Sequence, residues 1–304
     1  TIDVCSLQSS MSVQRITIIL LFNLTLWLGT GWWSAQQSAA PDVPQFVWPN
    51  RWPEIKVWPA SSTVVWSPQQ GKLISQNSQQ LRPIASLSKM VTALVVLGEK
   101  PQWSASYTLK NEDQRYGNIV YLYPGETVTI KDLWQASLMA SDNTATQALI
   151  RAVGLSDDQY RQKVTELAGR LQISDLQIKE PTGLNPDNQA SAMAIAQITN
   201  EALNQPEIQQ SALLDRYTFT TKSGRQQLIT NTDGFVRGSA VLPSDWQIEG
   251  GKTGYIDEAG YCFAALWKNS ADQQLVSVVL GAPTKEGRFT ITKALVDYVQ
   301  QKYY

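Results

Sequence analysis

A chain of 304 residues with a formal net charge of −1 has room for a well-buried core and carries no electrostatic footprint for nucleic acid. It contains no histidine, which removes the Ser-His-Asp triad, an imidazole general base and the usual zinc and non-haem iron sites. Its two distant cysteines, Cys5 and Cys262, form no Cys-x-x-Cys pair. No calcium loop or nucleotide-binding glycine loop is present, so no metal and no cofactor is implied.

Residues 1–10 match no usable pattern. From Met11 a short segment with Arg15 leads into the apolar run "ITIILLFNLTLWL" (Ile16 to Leu28), then into small residues ending "SAQQSAA". That is the layout of a secretory signal peptide, and the run is shorter than the ~20 residues a spanning helix needs. Pro41 directly after "SAA" opposes cleavage there, so an uncleaved anchor is the second reading. Either way residues 1–40 predict export. Residues 41–60 hold five prolines and three tryptophans, which forbids regular helix and predicts an extended linker lying against the body that follows. That body is residues 61–304.

Within it, "STVVWS" and "KLISQN" predict a hairpin. A helix is expected from about Ser86 to Gly98. Thr129 with Asp132, and Ser156 with Gln159, are capping boxes that each announce a helix. In the second of these, Tyr160, Val164, Leu167 and Leu171 recur at helical spacing. Ser191 opens another, through about Leu203. Late in the chain the period turns strand-like in "YTFTTK", "DWQIEGGKTGY", "AGYCFAALWK" and "QQLVSVVLGA", and an amphipathic helix from Arg288 ends it. Strands, then helices, then strands joined by short turns predict an α+β fold with an antiparallel sheet.

Three short motifs carry the chemistry. In "SLSK", Ser86 and Lys89 stand one helical turn apart, so the amine can reach the hydroxyl. Lysine is a poor base while charged, and burial plus a second cation would both push it toward the neutral form. At a helix start, Ser86 would also meet unpaired N–H groups suited to a developing oxyanion. In "SDN", Ser141 offers a hydroxyl for proton relay and Asn143 an amide that can clamp a peptide carbonyl or fix the lysine. In "KTG", Lys252 and Thr253 could hold a substrate carboxylate, and Lys252 could supply the second cation beside Lys89. Gly250 and Gly251 ahead of it predict close approach by a ligand. "SQN" at Ser75 to Asn77 and "KSG" at Lys222 to Gly224 are rivals that read as strand and turn. Cys262 reads as a small buried strand residue.

S-x-x-K, S-D-N and K-T-G in this order form a serine–lysine acyl-transfer set. With "RPIASLSKMVTALVV", "SLMASDNTATQAL", "EPTGLNPDN" and "GGKTGYIDEAGYC", the chain from about Ser62 onward resembles the low-molecular-mass penicillin-binding proteins of the D-alanyl-D-alanine carboxypeptidase/endopeptidase family. The resemblance implies a penicillin-binding/β-lactamase-like transpeptidase fold, an antiparallel sheet flanked by helices with an all-helical lobe. It implies Ser86 as acylated nucleophile, Lys89 as its base, and Ser141 and Asn143 lining the cleft. Lys252, Thr253, Gly254 and Tyr255 would bind substrate, with the N–H groups of Ser86 and Tyr255 as the oxyanion hole. The implied substrate is peptidoglycan stem peptide ending in, or cross-linked through, D-alanine, and β-lactams would acylate Ser86. The implied location is the periplasm or the wall side of the cytoplasmic membrane.

About fifty residues follow Lys252, enough to finish the sheet and add one helix. This favours the endopeptidase branch, which cuts cross-links, over carboxypeptidases with an added C-terminal β-domain. One departure from the family pattern is "SAMAIAQIT", where a charged pair usually follows the serine. Two alternatives remain at this point: a class A-like β-lactamase, and a non-catalytic wall-binding module. The first needs a Glu four residues before an Asn, whereas Glu180 and Asn185 are five apart.

Overall fold

The computed structural model describes residues 57–117 and 119–304. The expected signal or anchor and most of the linker lie outside the described residues. Trp58, the one linker tryptophan within them, is buried and meets Tyr298 edge-on, with ring centroids 6.3 Å apart. Its N–H donates to Gln76 Oε1 at 2.7 Å, while the same amide's Nε2 donates to Trp58 O and Ala60 O. The expected docking of the linker holds for this part.

The hairpin forms as β1 (Ser62–Ser67) and β2 (Gly71–Gln76). Much later come β10 (Trp246–Ile256), β11 (Gly260–Asn269) and β12 (Gln274–Ala282), each antiparallel to the next. β1 pairs with β12, giving a five-stranded sheet in the order β10-β11-β12-β1-β2. β11 and β12 are apolar along nearly their whole length because both faces are covered. α5 (Ala192–Leu203), capped by Ser191, and the final α7 (Gly287–Tyr303) are among the helices that pack on them.

The helical lobe is built from α1 (Ser88–Gly98), α2 (Ile130–Leu138), α3 (Asn143–Ala152) and α4 (Asp157–Arg170). Both expected capping boxes form: Thr129 and Ser156 each accept from the N–H three residues on. Tyr160, Val164 and Leu167 are buried as their spacing requires, while Leu171 falls at the C-cap and is half-buried. Small strand pieces tie the lobe together: β3 (Arg82–Pro83), β6 (Leu176–Gln177) and β7 (Gln189–Ala190) form one sheet, and β4 (Ser106–Thr108) with β5 (Thr127–Thr129) another.

Two expectations change. "YTFTTK" is strand, but β8 (Arg216–Thr220) pairs only with β9 (Gln226–Thr230) in a separate hairpin. Its alternate residues have too little apolar surface to enter the main sheet: Arg216, Thr218 and Thr220 all face solvent. "KSG" is the turn of this hairpin, as its composition suggested. α6 (Pro206–Leu213), with Pro206 at its start, was not anticipated.

Candidate active site

Ser86 sits in a single 3-10 turn (Ala85–Leu87) that runs into α1, rather than on the α-helix itself. The residue before it, Ala85, is held at φ +48°, a conformation that non-glycine residues rarely adopt. Two glycines make that bend possible. A Cβ on Gly183 would lie 2.0 Å from Ala85 O, and one on Gly254 would lie 3.2 Å from Ser86 N. The loop after Pro181 and the end of β10 thus press against the backbone of Ala85 and Ser86 from two sides.

Lys89 is fully buried, and its Nζ lies 2.9 Å from Ser86 Oγ. The same nitrogen donates to Asn143 Oδ1 at 2.7 Å and to Thr182 O at 2.6 Å. A neutral amine has two N–H groups and one lone pair. Two carbonyl oxygens, which can only accept, take the two N–H groups. The lone pair is left facing the serine hydroxyl. In its neutral form the amine is therefore placed as a base would be.

Burial lowers the Lys89 pKa to about 7, against the opposing pull of Glu180 and Asp142. Burial is the larger influence that pushes Lys89 toward the neutral form. Burial, Lys89 and Arg288 together hold Lys252 well below the usual lysine range. Lys252 is buried on β10, and its Nζ donates to Ser141 Oγ at 2.8 Å. Thr253 points the other way and donates to Thr232 Oγ1 at 2.6 Å.

The S-D-N triplet works through all three residues. Ser141 takes φ +58°, and Asn143 opens α3. Between them Asp142, whose role the sequence analysis did not assign, accepts from Ala145 N at 2.8 Å and from Tyr121 N at 3.0 Å. It caps α3 and so aims Asn143 at Lys89. Asp142→Ala is expected to lower the unfolding free energy by about 2 kcal/mol in urea titration, and Asp142→Asn, which keeps an accepting oxygen, by less.

The expected ligand approach at Gly250 and Gly251 is also corrected. A Cβ on Gly250 would meet Leu203 and Ala212 within 3.0 Å, and one on Gly251 would meet Asp233 Oδ2 at 2.6 Å. These glycines answer to packing behind the strand, and Gly254 is the one beside Ser86. Tyr255 is exposed at the cleft, stacked on Tyr261 at 4.3 Å and donating to Asp257 Oδ1 at 2.7 Å.

Glu180 is spoken for. Its carboxylate accepts from Thr182 N and Oγ1, Gly183 N, Asn185 N and Asn188 Nδ2, all at 3.2 Å or less. It folds the loop that presents Thr182 O to Lys89. Neither Thr182 nor Gly183 had been singled out, although "EPTGLN" contains both. Cys262 is buried, and burial raises its thiol pKa to about 11, which makes it inert. Asn77, of the rival "SQN", bonds Ser61 O at the end of β2.

Ser86, Ser141, Asn143, Thr253, Gly254 and Tyr255 all line one cleft of about 820 Å³, with Lys89 and Lys252 buried beneath it. β10 is the edge strand on the cleft side, so its free N–H and C=O groups can pair with an extended peptide. Residues 52–284 match the family model described as D-alanyl-D-alanine carboxypeptidase. The chain belongs to that family.

Among members of the D-alanyl-D-alanine carboxypeptidase family, the D-alanyl-D-alanine endopeptidase of Haemophilus influenzae is 29% identical over 78% of this chain and 81% of that protein. The D-alanyl-D-alanine carboxypeptidase DacF of Bacillus subtilis is 26% identical over 80% of this chain, which spans 63% of it. A solved D-alanyl-D-alanine carboxypeptidase from Mycobacterium tuberculosis superposes with a TM-score of 0.71 at 25% identity, covering 81% of this chain and 93% of that one. The Streptomyces K15 DD-transpeptidase shares the fold, with a TM-score of 0.73 at 20% identity over 81% and 98% of the two chains. Family membership makes the protein a serine-type hydrolase of the penicillin-binding fold, as the motifs implied.

Proposed function

We propose that the protein is an exported DD-peptidase that cleaves peptidoglycan cross-links, with DD-carboxypeptidase action as a possible second outcome of the same site. The observation that carries the chemistry is the placement of Lys89 Nζ, with two carbonyl acceptors on its hydrogens and Ser86 Oγ 2.9 Å away. Ser86 gives its proton to Lys89, and its oxygen bonds to the D-alanyl carbonyl carbon. Charge on that carbonyl oxygen falls to the N–H groups of Ser86 and Tyr255, a role supported by the close approach of Gly254 to the serine backbone. The C–N bond then breaks, and the proton returns to the leaving amine through Lys89 or the Ser141–Lys252 pair. Water hydrolyses the acyl-enzyme. Lys252 and Thr253 hold the carboxylate beside the scissile bond.

The endopeptidase preference is supported by the likeness to the Haemophilus influenzae enzyme of that name, matched along most of both chains. Digesting purified cross-linked muropeptide dimers and weighing the products tests it. Dimers are expected to fall to monomers, and Ser86→Ala to leave them intact; release of a terminal alanine alone would overturn the preference. A class A-like β-lactamase is disfavoured because Glu180, fully engaged within its own loop, has no capacity left to activate a deacylating water. Nitrocefin should therefore acylate the protein once rather than turn over. A purely binding role would be revived if Ser86→Ala retained the biological role.

A further inference from the structure

The cleft has two unlike walls. On one side stand Ile119, Tyr121 and Leu184, with Ile119 63% exposed. On the other stand Arg237, Lys285 and Lys293, with Arg288 buried behind them; among the described residues that line the cleft, Glu286 is the sole acidic one. In a chain of net charge −1 this local excess stands out. Lys293 shares its charge with Asp297, and Arg288 spends its own on Gly254 O and on the rings of Tyr261 and Phe289. Arg237 and Lys285 have no ion-pair partner among the described residues.

This wall is firmly built. Phe235 meets Phe289 edge-on at 5.3 Å, and Ser239 N and Ala240 N both donate to Gly234 O. A Cβ on Gly234 would lie 3.0 Å from the Phe289 ring, so the turn carrying Arg237 is clamped against the start of α7, and Lys285 stands in the turn just before that helix. The wall also has a definite place along a substrate. Thr253 bonds Thr232, and the chain runs directly from Thr232 to Arg237. Thr232, Arg237 and Thr253 line the same cleft, so the basic wall adjoins the position proposed for the substrate carboxylate, which belongs to the leaving group.

We propose that Arg237 and Lys285 form a leaving-stem subsite that takes further free carboxylates of a cross-linked peptide. The inference rests on the peptidase function proposed above and names its substrate class. A departing single alanine has one carboxylate, which Lys252 and Thr253 serve, and offers nothing to a second basic patch. A departing stem peptide with unamidated side carboxylates does. Cationic walls in a cleft raise the local concentration of such a substrate and make its capture salt-dependent.

The test compares two synthetic cross-linked dimers that differ only in the leaving stem, its side carboxylates being free in one and carboxamides in the other. The wild-type protein is expected to favour the free-acid dimer by on the order of ten-fold in kcat/KM, mainly through KM, and to lose that preference at high salt. In Arg237→Ala/Lys285→Ala the two dimers should be cleaved alike, with stoichiometric fluorescent-penicillin labelling of Ser86 showing that the fold is intact. Should the double variant fail to fold, the single variants Arg237→Gln and Lys285→Gln are expected to narrow the preference, and the wild-type comparison stands without any variant. Equal cleavage of both dimers by the wild type, or a preference kept in the folded variants, overturns the subsite while leaving the endopeptidase function in place. Removal of only a terminal alanine from either dimer would instead remove the endopeptidase function and the subsite with it.

Discussion

Replacing Lys89 by methionine is expected to slow acylation of Ser86 by penicillin by on the order of a thousand-fold, the scale of a lost general base. Methionine fills much the same apolar stem but brings no proton acceptor. The pH dependence should be equally diagnostic. The base must be neutral, and burial lowers its pKa to about 7. The acylation rate of the native protein should therefore climb as pH rises through that value and level off above it. In Lys89→Met the residual rate should lose this climb. Stopped-flow acylation across pH 5 to 9 reads both effects, and undiminished labelling of the variant would remove Lys89 from the mechanism. The same burial has a cost in stability. A lysine whose folded pKa lies below its unfolded value binds fewer protons when folded, so its contribution becomes more favourable as pH rises from about 7 toward the ordinary lysine range.

Gly183→Ala is expected to be among the most damaging single changes outside the three motifs. At φ +86° an alanine is strained, and its methyl would meet the main-chain Ala85 O at 2.0 Å, with no flexible side chain to yield. A loss of about 3 kcal/mol in unfolding free energy is expected, together with poor acylation, because the displaced segment carries Ser86. Gly98→Ala is the control. It ends α1 with open space around it and no positive φ, and should be neutral or mildly stabilising. Equal losses in urea titrations of the two variants would contradict the clash at the nucleophile.

The parts of the molecule legible in the sequence were those with local signals. Thr129, Ser156 and Ser191 marked helix starts because an N-cap is a short-range hydrogen bond, and the absence of histidine narrowed the chemistry before any fold was known. Ser86 and Lys89 were readable for the same reason, being one turn apart. What could not be read was how distant segments use one another. Thr182 O becomes a ligand of Lys89 only when a loop 93 residues away folds beneath it, and no residue type marks a backbone carbonyl for that task. Asp142 bears none of the motif's chemistry, yet as the N-cap of α3 it sets where Asn143 points. Gly250 and Gly251 gave the right signal with the wrong partner: close approach was real, but Leu203 and Asp233 rather than a ligand do the approaching.

The pairing of β1 with β12 closes the main sheet between the chain's early and late segments. β10, which carries Lys252 and presses on Ser86, is made long after the serine and joins a sheet that needs β12 to be complete. A nascent chain that already displays Ser86 and Lys89 therefore lacks the strand that shapes their surroundings. The surroundings of Ser86 and Lys89 are complete only once β10 to β12 are in place, and a fragment stopping short of Ala282 is expected to be inert toward penicillin.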